Sequence, residues 1–183
     1  MPHPTPPVNL RAALESDMPA IASIYGHHVV HGTGTFETAA PSELDMHKRW
    51  LDVCAKGLPW LCAELDGKVV GFAYANWFRP REAFRYCAED SVYIAPHWQG
   101  HGLGQTLLRE LMQQCEGSGI RKMVAVVGDS ANVGSIRLHE IMGFTRVATL
   151  PACGWKHDRW LDIVILERWL GTGDSTPPPT LQP

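Results

Sequence analysis

No stretch of this chain approaches the roughly 20 apolar residues that a membrane-spanning helix needs, so no membrane anchor is expected. A basic excess is missing too: 16 Lys and Arg stand against 19 Asp and Glu, for a formal net charge of −3. That balance argues against a nucleic-acid binder. No Cys-x-x-Cys pair occurs, and Cys54, Cys62, Cys87, Cys115 and Cys153 are odd in number. A disulfide framework is therefore not expected; buried free thiols in a reducing cytoplasm are. The first seven residues, Met-Pro-His-Pro-Thr-Pro-Pro, carry neither a basic n-region nor an apolar h-region. They do not read as a secretory signal but as a mobile lead. The last thirteen residues, Gly171 to Pro183, are rich in Gly, Ser, Thr and Pro and read as a disordered tail. Between them, residues 8–170 read as one domain, with enough chain for a proper core.

The elements follow from pattern. Val8 to Ala12 alternates and predicts a strand. Ser16 or Asp17 caps a helix with Pro19 in its first turn, and Ile21, Ile24, Tyr25 and Val29 give it an apolar face to about His31. Ser42 and Asp45 form a capping-box pattern for a second helix ending near Gly57. Trp60 to Leu65 and Lys68 to Trp77 are strands joined by Asp66-Gly67, a hairpin signal. Phe78 to Arg85 is a loop with three arginines. After the stretch described next come a buried strand, Lys122 to Val127, and a helix, Asn132 to Met142, closed by Gly143. Phe144 to Leu150 and Trp160 to Trp169 are the last strands. The order is that of an α/β domain, a mixed sheet with helices on its faces.

The central stretch is Glu89-Asp-Ser-Val-Tyr-Ile-Ala-Pro-His-Trp-Gln-Gly-His-Gly-Leu-Gly104. Val92, Tyr93 and Ile94 favour a strand, and Pro96 ends it. Gly100, Gly102 and Gly104 follow, and then Leu103, Leu107, Leu108, Leu111, Met112 and Cys115 recur at helical spacing. A glycine turn opening a helix offers unpaired N–H groups and a positive dipole end, an anion cradle suited to phosphate. The spacing is neither the dinucleotide fingerprint nor a P-loop, since no Gly-Lys-Ser/Thr follows. A second cluster, Asn132-x-x-Ser135-x-x-x-His139-Glu140-x-x-Gly143-Phe144, lies on the next helix, where 132, 135 and 139 share a face.

Gln99-x-x-Gly102-x-Gly104 after a strand resembles the acetyl-CoA pyrophosphate loop of the GNAT superfamily of N-acetyltransferases. Thr35-Phe-Glu-Thr38, Glu89 to Ile94, Val124 to Gly128, the Asn132 to Phe144 helix and Gly154-Trp-Lys-His157-Asp-Arg-Trp160 together resemble the phosphinothricin and methionine sulfoximine acetyltransferases within it. The resemblance spans about Val8 to Trp169. It implies the acyl-CoA N-acyltransferase fold, mostly antiparallel, with helices on both faces. It also implies acetyl-CoA as cosubstrate with no metal, a small amino-acid-like acceptor and a homodimer. The residues it assigns to acetyl-CoA are Val92, Tyr93, Ile94, Gln99, Gly100, His101, Gly102, Leu103, Gly104, Gln105, Asn132 and Ser135.

The chemistry sets further expectations. An amine is mostly ammonium at neutral pH and must lose a proton before it attacks a thioester. Glu89 is the candidate base, sharing a strand face with Ser91 and Tyr93. His139, where the superfamily more often has tyrosine, is the candidate to protonate the leaving thiolate or relay the amine proton. Direct transfer is expected; Cys87 is the nearby candidate for a cysteine relay, without a visible activator. Phe36, Glu37, Arg79, Arg81, Tyr86, Lys156 and His157 are the candidate acceptor-binding residues, the arginines because their forks suit carboxylate or phosphinate. His27 and His31 have metal-ligand spacing but lack a third convincing ligand. The alternatives are a CoA-binding sensor on the same fold and an acetyltransferase of protein lysines or N-termini.

Overall fold

A computed structural model describes residues 8–178; the expected mobile lead and the last five residues of the expected tail lie outside the described residues. The elements are β1 (Asn9–Ala12), α1 (Met18–His31), α2 (Glu43–Ala55), β2 (Trp60–Leu65), β3 (Lys68–Trp77), β4 (Cys87–Ile94), α3 (Leu103–Gly117), β5 (Lys122–Gly128), α4 (Val133–Ile141), β6 (Thr145–Lys156) and β7 (Arg159–Trp169). Seven strands make one sheet in the order β1-β2-β3-β4-β5-β7-β6. Every neighbouring pair is antiparallel except β4 with β5. That exception follows from the connection, because α3 carries the chain from the end of β4 back to the start of β5.

Strand alternation assigns the two faces. Tyr93 of β4 lies edge-on to Tyr25 of α1, ring centroids 4.8 Å apart, and stacks beside Phe72 of β3. Gly71 and Ile94, one residue along, face the other way toward Leu107 of α3; a Cβ on Gly71 would meet Ile94 Cδ1 at 2.8 Å and Leu107 Cδ1 at 3.4 Å. Thus α1 and α2 cover one face, and α3 and α4 the other. Phe72, Leu61, Leu107, Leu111, Met123 and Leu166 are among the fully buried side chains of the core.

Local signals explain most boundaries. Asp66 and Gly67 take φ values of 48° and 74°, the left-handed pair of a two-residue hairpin. Ser42 and Asp45 exchange side-chain bonds with each other's backbone N–H, as their spacing predicts. Asp17 stands at the N-cap of α1 but does not cap it. Its carboxylate instead accepts from Arg11 and from Leu14 N–H, and Arg11 holds it below its usual range against the opposing effect of burial.

Two departures concern the end of the chain. β6 does not stop at Leu150 but runs to Lys156, carried past Pro151 by a register irregularity between Leu150 and Gly154. Asp162 accepts from Ala152 N–H there, and Ala152 takes a φ of 53°. Residues 171–176, expected to be disordered, form turns and bends, and Arg121 donates to Thr172 and to the Gly173 carbonyl.

Candidate functional site

The sheet divides between β4 and β5. These strands pair only at Cys87↔Lys122, Ala88↔Met123 and Glu89↔Val124. Beyond that, β4 stays with β3 as far as Ile94↔Gly71, and β5 stays with β7 as far as Gly128↔Ile163. Ala95 N–H donates to the Val70 carbonyl, so the backbone groups of Ala95, Tyr93 and Ser91 face β3. Those of Val92 and Ile94 face the fork, where no strand pairs them. Tyr93 therefore contributes its ring, not its backbone, to the surroundings of the fork. The Ile94 carbonyl accepts a hydrogen bond from His28 Nε2 at 2.8 Å. Burial lowers the His28 pKa, and the bond to the Ile94 carbonyl opposes that shift.

At the far end of β4 a short 3-10 turn, Pro96–Trp98, leads into the glycine turn. Gly100 and Gly102 both take φ of 79°, a conformation that L side chains rarely adopt. A Cβ on either would meet no protein atom within 4 Å, so these glycines serve backbone shape and leave space above the turn. Gly104 differs: a Cβ there would meet Leu138 of α4 at 3.2 Å, so it serves close helix packing. Gln99 and His101 are exposed, and His101 Nδ1 bonds the Gln99 carbonyl at 2.9 Å. The N–H groups of Leu103, Gly104 and Gln105 form the open first turn of α3, with their dipole end on the same side.

Glu89 is at the point of the fork, on the α1 face. It is half-buried, and among the described residues its carboxylate makes no hydrogen bond or ion pair. Burial first, and then the charge of Asp90, push its pKa up to about 7, with Arg79 opposing. That is the range in which a carboxylate acts as a base at neutral pH. His139 arrives from the opposite face. It is buried, with Nε2 2.9 Å from Asp90 Oδ2 and Nδ1 2.8 Å from the Ser135 carbonyl. Asn132 caps α4 by accepting from Ser135 N–H at 3.3 Å. Cys87, at the start of β4, has its thiol pushed up by burial, the wrong direction for a nucleophile.

Four of the expected acceptor-binding residues gather. The loop after α1 is tied down by the β6–β7 hairpin: Lys156 Nζ donates to the Thr35 carbonyl at 2.8 Å and His157 Nε2 to Gly32 O at 3.2 Å. Phe36 lies so close over Gly154 that an added Cβ would sit 2.3 Å from its ring. Glu37 is not a free attractor for an ammonium group. Its carboxylate accepts both Arg49 nitrogens, at 2.7 and 3.1 Å, and the Tyr25 hydroxyl at 2.7 Å. Burial opposes its charge, but these partners win and hold its pKa low.

The other three lie apart from this group. Arg79 is exposed, stacked on Phe78 at 4.0 Å, yet its charge reaches Glu89. Arg81 is exposed on the same loop. Tyr86 lines a cavity of about 570 Å³ with Cys87, Lys122 and Trp169, away from the fork. Sequence patterning missed Asp90, Arg49, Tyr25 and His28. Asp90 had a signal: alternation puts this carboxylate between Ala88 and Val92 on the apolar face of β4. Among the described residues no group of three His, Cys, Asp or Glu gathers that could hold a metal ion.

Comparison with known proteins matches this architecture. Residues 24–144 match the acetyltransferase (GNAT) family. The chain is 47% identical over 169 residues to a phosphinothricin N-acetyltransferase of Alcaligenes faecalis, covering 92% of this chain and 86% of that protein. It is 37% identical over 161 residues to an L-methionine sulfoximine/L-methionine sulfone acetyltransferase of Salmonella typhimurium strain LT2, covering 87% and 93%. A crystal structure of a GNAT superfamily phosphinothricin acetyltransferase from Sinorhizobium meliloti in complex with AcCoA superposes with a TM-score of 0.92 at 39% identity, covering 95% and 94%. With its forked sheet, its glycine turn and these relatives, the chain belongs to the GNAT family of acetyltransferases.

Proposed function

We propose that the chain transfers an acetyl group from acetyl-CoA to the α-amine of a small amino acid whose side chain ends in a compact tetrahedral polar group, of the phosphinothricin or methionine sulfoximine type. The observation that carries this reading is the unpaired, half-buried Glu89 carboxylate at the point where β4 and β5 part. A base belongs there if an amine attacks a thioester held in the fork.

The residues present fit acetyl-CoA. The fork offers the backbone of Val92 and the N–H of Ile94 to an amide-bearing arm. The turn from Gln99 to Gln105 offers open N–H groups to a diphosphate. When bound, acetyl-CoA supplies an activated acyl carbon and a thiolate leaving group. Glu89 takes the proton of the amine, directly or through a water. The Val92 N–H stabilises negative charge on the acyl oxygen. His139, whose ring nitrogens face the Ser135 carbonyl and Asp90 Oδ2, would leave one of these bonds to give a proton to the sulfur. Lys156, anchored beside Thr35, and the Arg79–Arg81 loop supply positive charge for the acceptor's anionic groups. Phe36 and Gly154 wall the acceptor in.

The reading extends to assembly and place. β6 is an edge strand exposed along most of its length, with Val147, Leu150 and Trp155 uncovered and Trp160 beside it on β7. A second copy that covers these residues makes a homodimer, and sedimentation as a monomer at micromolar concentration contradicts it. Five free thiols suit the reducing cytoplasm.

Thiol release from acetyl-CoA tests the function. Phosphinothricin, methionine sulfoximine and methionine sulfone are to be compared with ordinary amino acids and with N-terminal and lysine peptides. The sulfoximine-type acceptors are expected to give the highest kcat/KM, with the product acetylated on its α-nitrogen. Better turnover of a peptide overturns the acceptor class. Tight acetyl-CoA binding with no turnover of any amine overturns the enzyme reading in favour of a sensor.

A further inference from the structure

The edge of β4 that faces the fork is filled unequally. No strand pairs the N–H groups of Val92 and Ile94 or the Val92 carbonyl. The Ile94 carbonyl, in contrast, is taken up by side chains. It accepts from His28 Nε2 at 2.8 Å, and Gln99 Nε2 approaches it at 3.5 Å, the long end of a hydrogen bond. A carbonyl oxygen has two lone pairs, and both are addressed here from within the protein.

The two donors come from different elements. His28 is half-buried on the last turn of α1, its ring centroid 5.4 Å from that of Tyr93. A carbonyl can only accept, so His28 Nε2 carries a proton. Gln99 opens the glycine turn. The peptide that carries this carbonyl joins Ile94 to Ala95, and its N–H is bonded to the Val70 carbonyl of β3 at 2.9 Å. The peptide is therefore tied to β3 by its nitrogen and to α1 by its oxygen. It is the last one before Pro96, where the chain leaves the sheet for the glycine turn. It is the joint between the fork and the turn.

We propose that His28 is a positioning residue for acetyl-CoA, holding the Ile94–Ala95 peptide so that the glycine turn keeps its register with the fork. The proposal rests on the acetyltransferase reading above. In that reading one ligand is gripped at two places. Its acyl end is held at Val92, and its diphosphate at the open N–H groups of Leu103, Gly104 and Gln105. Along the chain the joint lies between these two places. Two grips on one ligand reinforce each other only when their separation fits the arm between them. His28 acts on that separation through the backbone of Ile94.

Nothing nearby replaces this bond. Gln99 is exposed and its contact is long. The Tyr25 hydroxyl, on the same helix, is committed to Thr35 and Glu37. His27 is exposed, with its ring 5.8 Å from that of His28. Pro96 has no N–H with which to continue the ladder to β3. The next backbone bonds, from Trp98 N–H to the Ala95 carbonyl and from Gln99 N–H to the Pro96 carbonyl, are internal to the turn. Without His28 the joint stays tied on the β3 side, with only the long Gln99 contact on its oxygen. Glu89 lies further back along β4, paired with Asn76 and Val124, so the base does not depend on this bond.

The test is equilibrium binding, which needs no turnover, of a whole ligand and its two halves. Acetyl-CoA spans both grips, S-acetylpantetheine reaches only the fork, and adenosine 3′,5′-bisphosphate carries only the nucleotide end. His28→Leu is expected to lose roughly 3–10-fold in affinity for acetyl-CoA, the worth of one hydrogen bond, with neither half changed. His28→Gln, which keeps an N–H donor, is expected to recover the affinity. A merely structural His28 would weaken all three ligands, or lower the melting temperature alone, and either result overturns the proposal. An equal loss for S-acetylpantetheine means that His28 grips the arm itself, and overturns it too. So does a glutamine variant that binds acetyl-CoA as weakly as the leucine variant. If His28→Leu does not fold, nitrogen NMR of the wild-type ring decides. Nε2 protonated at neutral pH supports the bond, and Nε2 without a proton overturns the proposal. If the ligands divide as expected but no amine is acetylated, the acetyltransferase reading fails while the role of His28 stands.

Discussion

At the scale of single residues, charge pairing separates the two carboxylates on the acceptor side. Glu37 is spent on Arg49 and Tyr25, whereas Glu89 has no partner and a pKa near 7. Glu89→Gln keeps the size and removes the proton acceptor, so kcat is expected to fall by roughly 10²–10⁴-fold with acetyl-CoA affinity kept. Calorimetry and initial rates check both halves. Glu37 acts on the fold instead. Arg49→Ala leaves its carboxylate with the Tyr25 hydroxyl alone and is expected to cost about 1 kcal/mol, below the roughly 1.5–3 kcal/mol of a charged hydrogen bond because both partners are about one-third exposed. The sign with pH follows. The folded pKa of Glu37 is depressed, so the pair's contribution is complete above the unfolded value of about 4.3 and is lost as pH falls through the lower folded value. Thermal melts of wild type and Arg49→Ala should therefore converge in acid and differ at neutral pH. Of these residues, Glu89 was legible because the strand and glycine turn framed it. The partner of Glu37 was not, because Arg49 belongs to a helix twelve residues away and only the fold brings them together.

At the scale of elements, the glycine turn divides its work. Gly102→Val places a side chain on a residue whose φ of 79° disfavours one, at roughly 1–3 kcal/mol. It meets no protein atom. Acetyl-CoA affinity is expected to fall more than tenfold in a variant that still folds. Gly104→Val presses on Leu138, so its loss should appear first in the melting temperature. Equal effects of the two on binding and on melting would contradict this division. The β6–β7 hairpin makes a similar prediction. Gly154→Ala drives a methyl group into the Phe36 ring, so KM for the amine is expected to rise while KM for acetyl-CoA holds. Helices and the first hairpin were legible because their caps and turns use the usual residues. The β6–β7 hairpin was not: its turn residues, His157 and Asp158, take φ of 52° and 56° without glycine or asparagine, and Pro151 hid a bulge inside a continuing strand.

At the scale of the whole molecule, one topological fact organises the chemistry. α3 returns the chain to a strand parallel to β4, and the two strands part after Glu89 and Val124. The α1 face then brings Glu89 to the opening, and the α4 face brings His139. The order of elements made this mixed sheet legible in the sequence. The length of the β4–β5 pairing was not, since nothing in either strand alone says where they separate. The central claim is that the carboxylate at that parting takes the amine proton. The pH dependence of kcat at saturating substrates, for wild type and Glu89→Gln side by side, tests it most directly. On its acid limb the wild type is expected to rise with pH and reach its plateau above about 7, where Glu89 is ionised. The variant is expected to be far slower at neutral pH and to keep climbing with the fraction of free amine. A variant that matches the wild type in rate and levels off at the same pH would contradict the account.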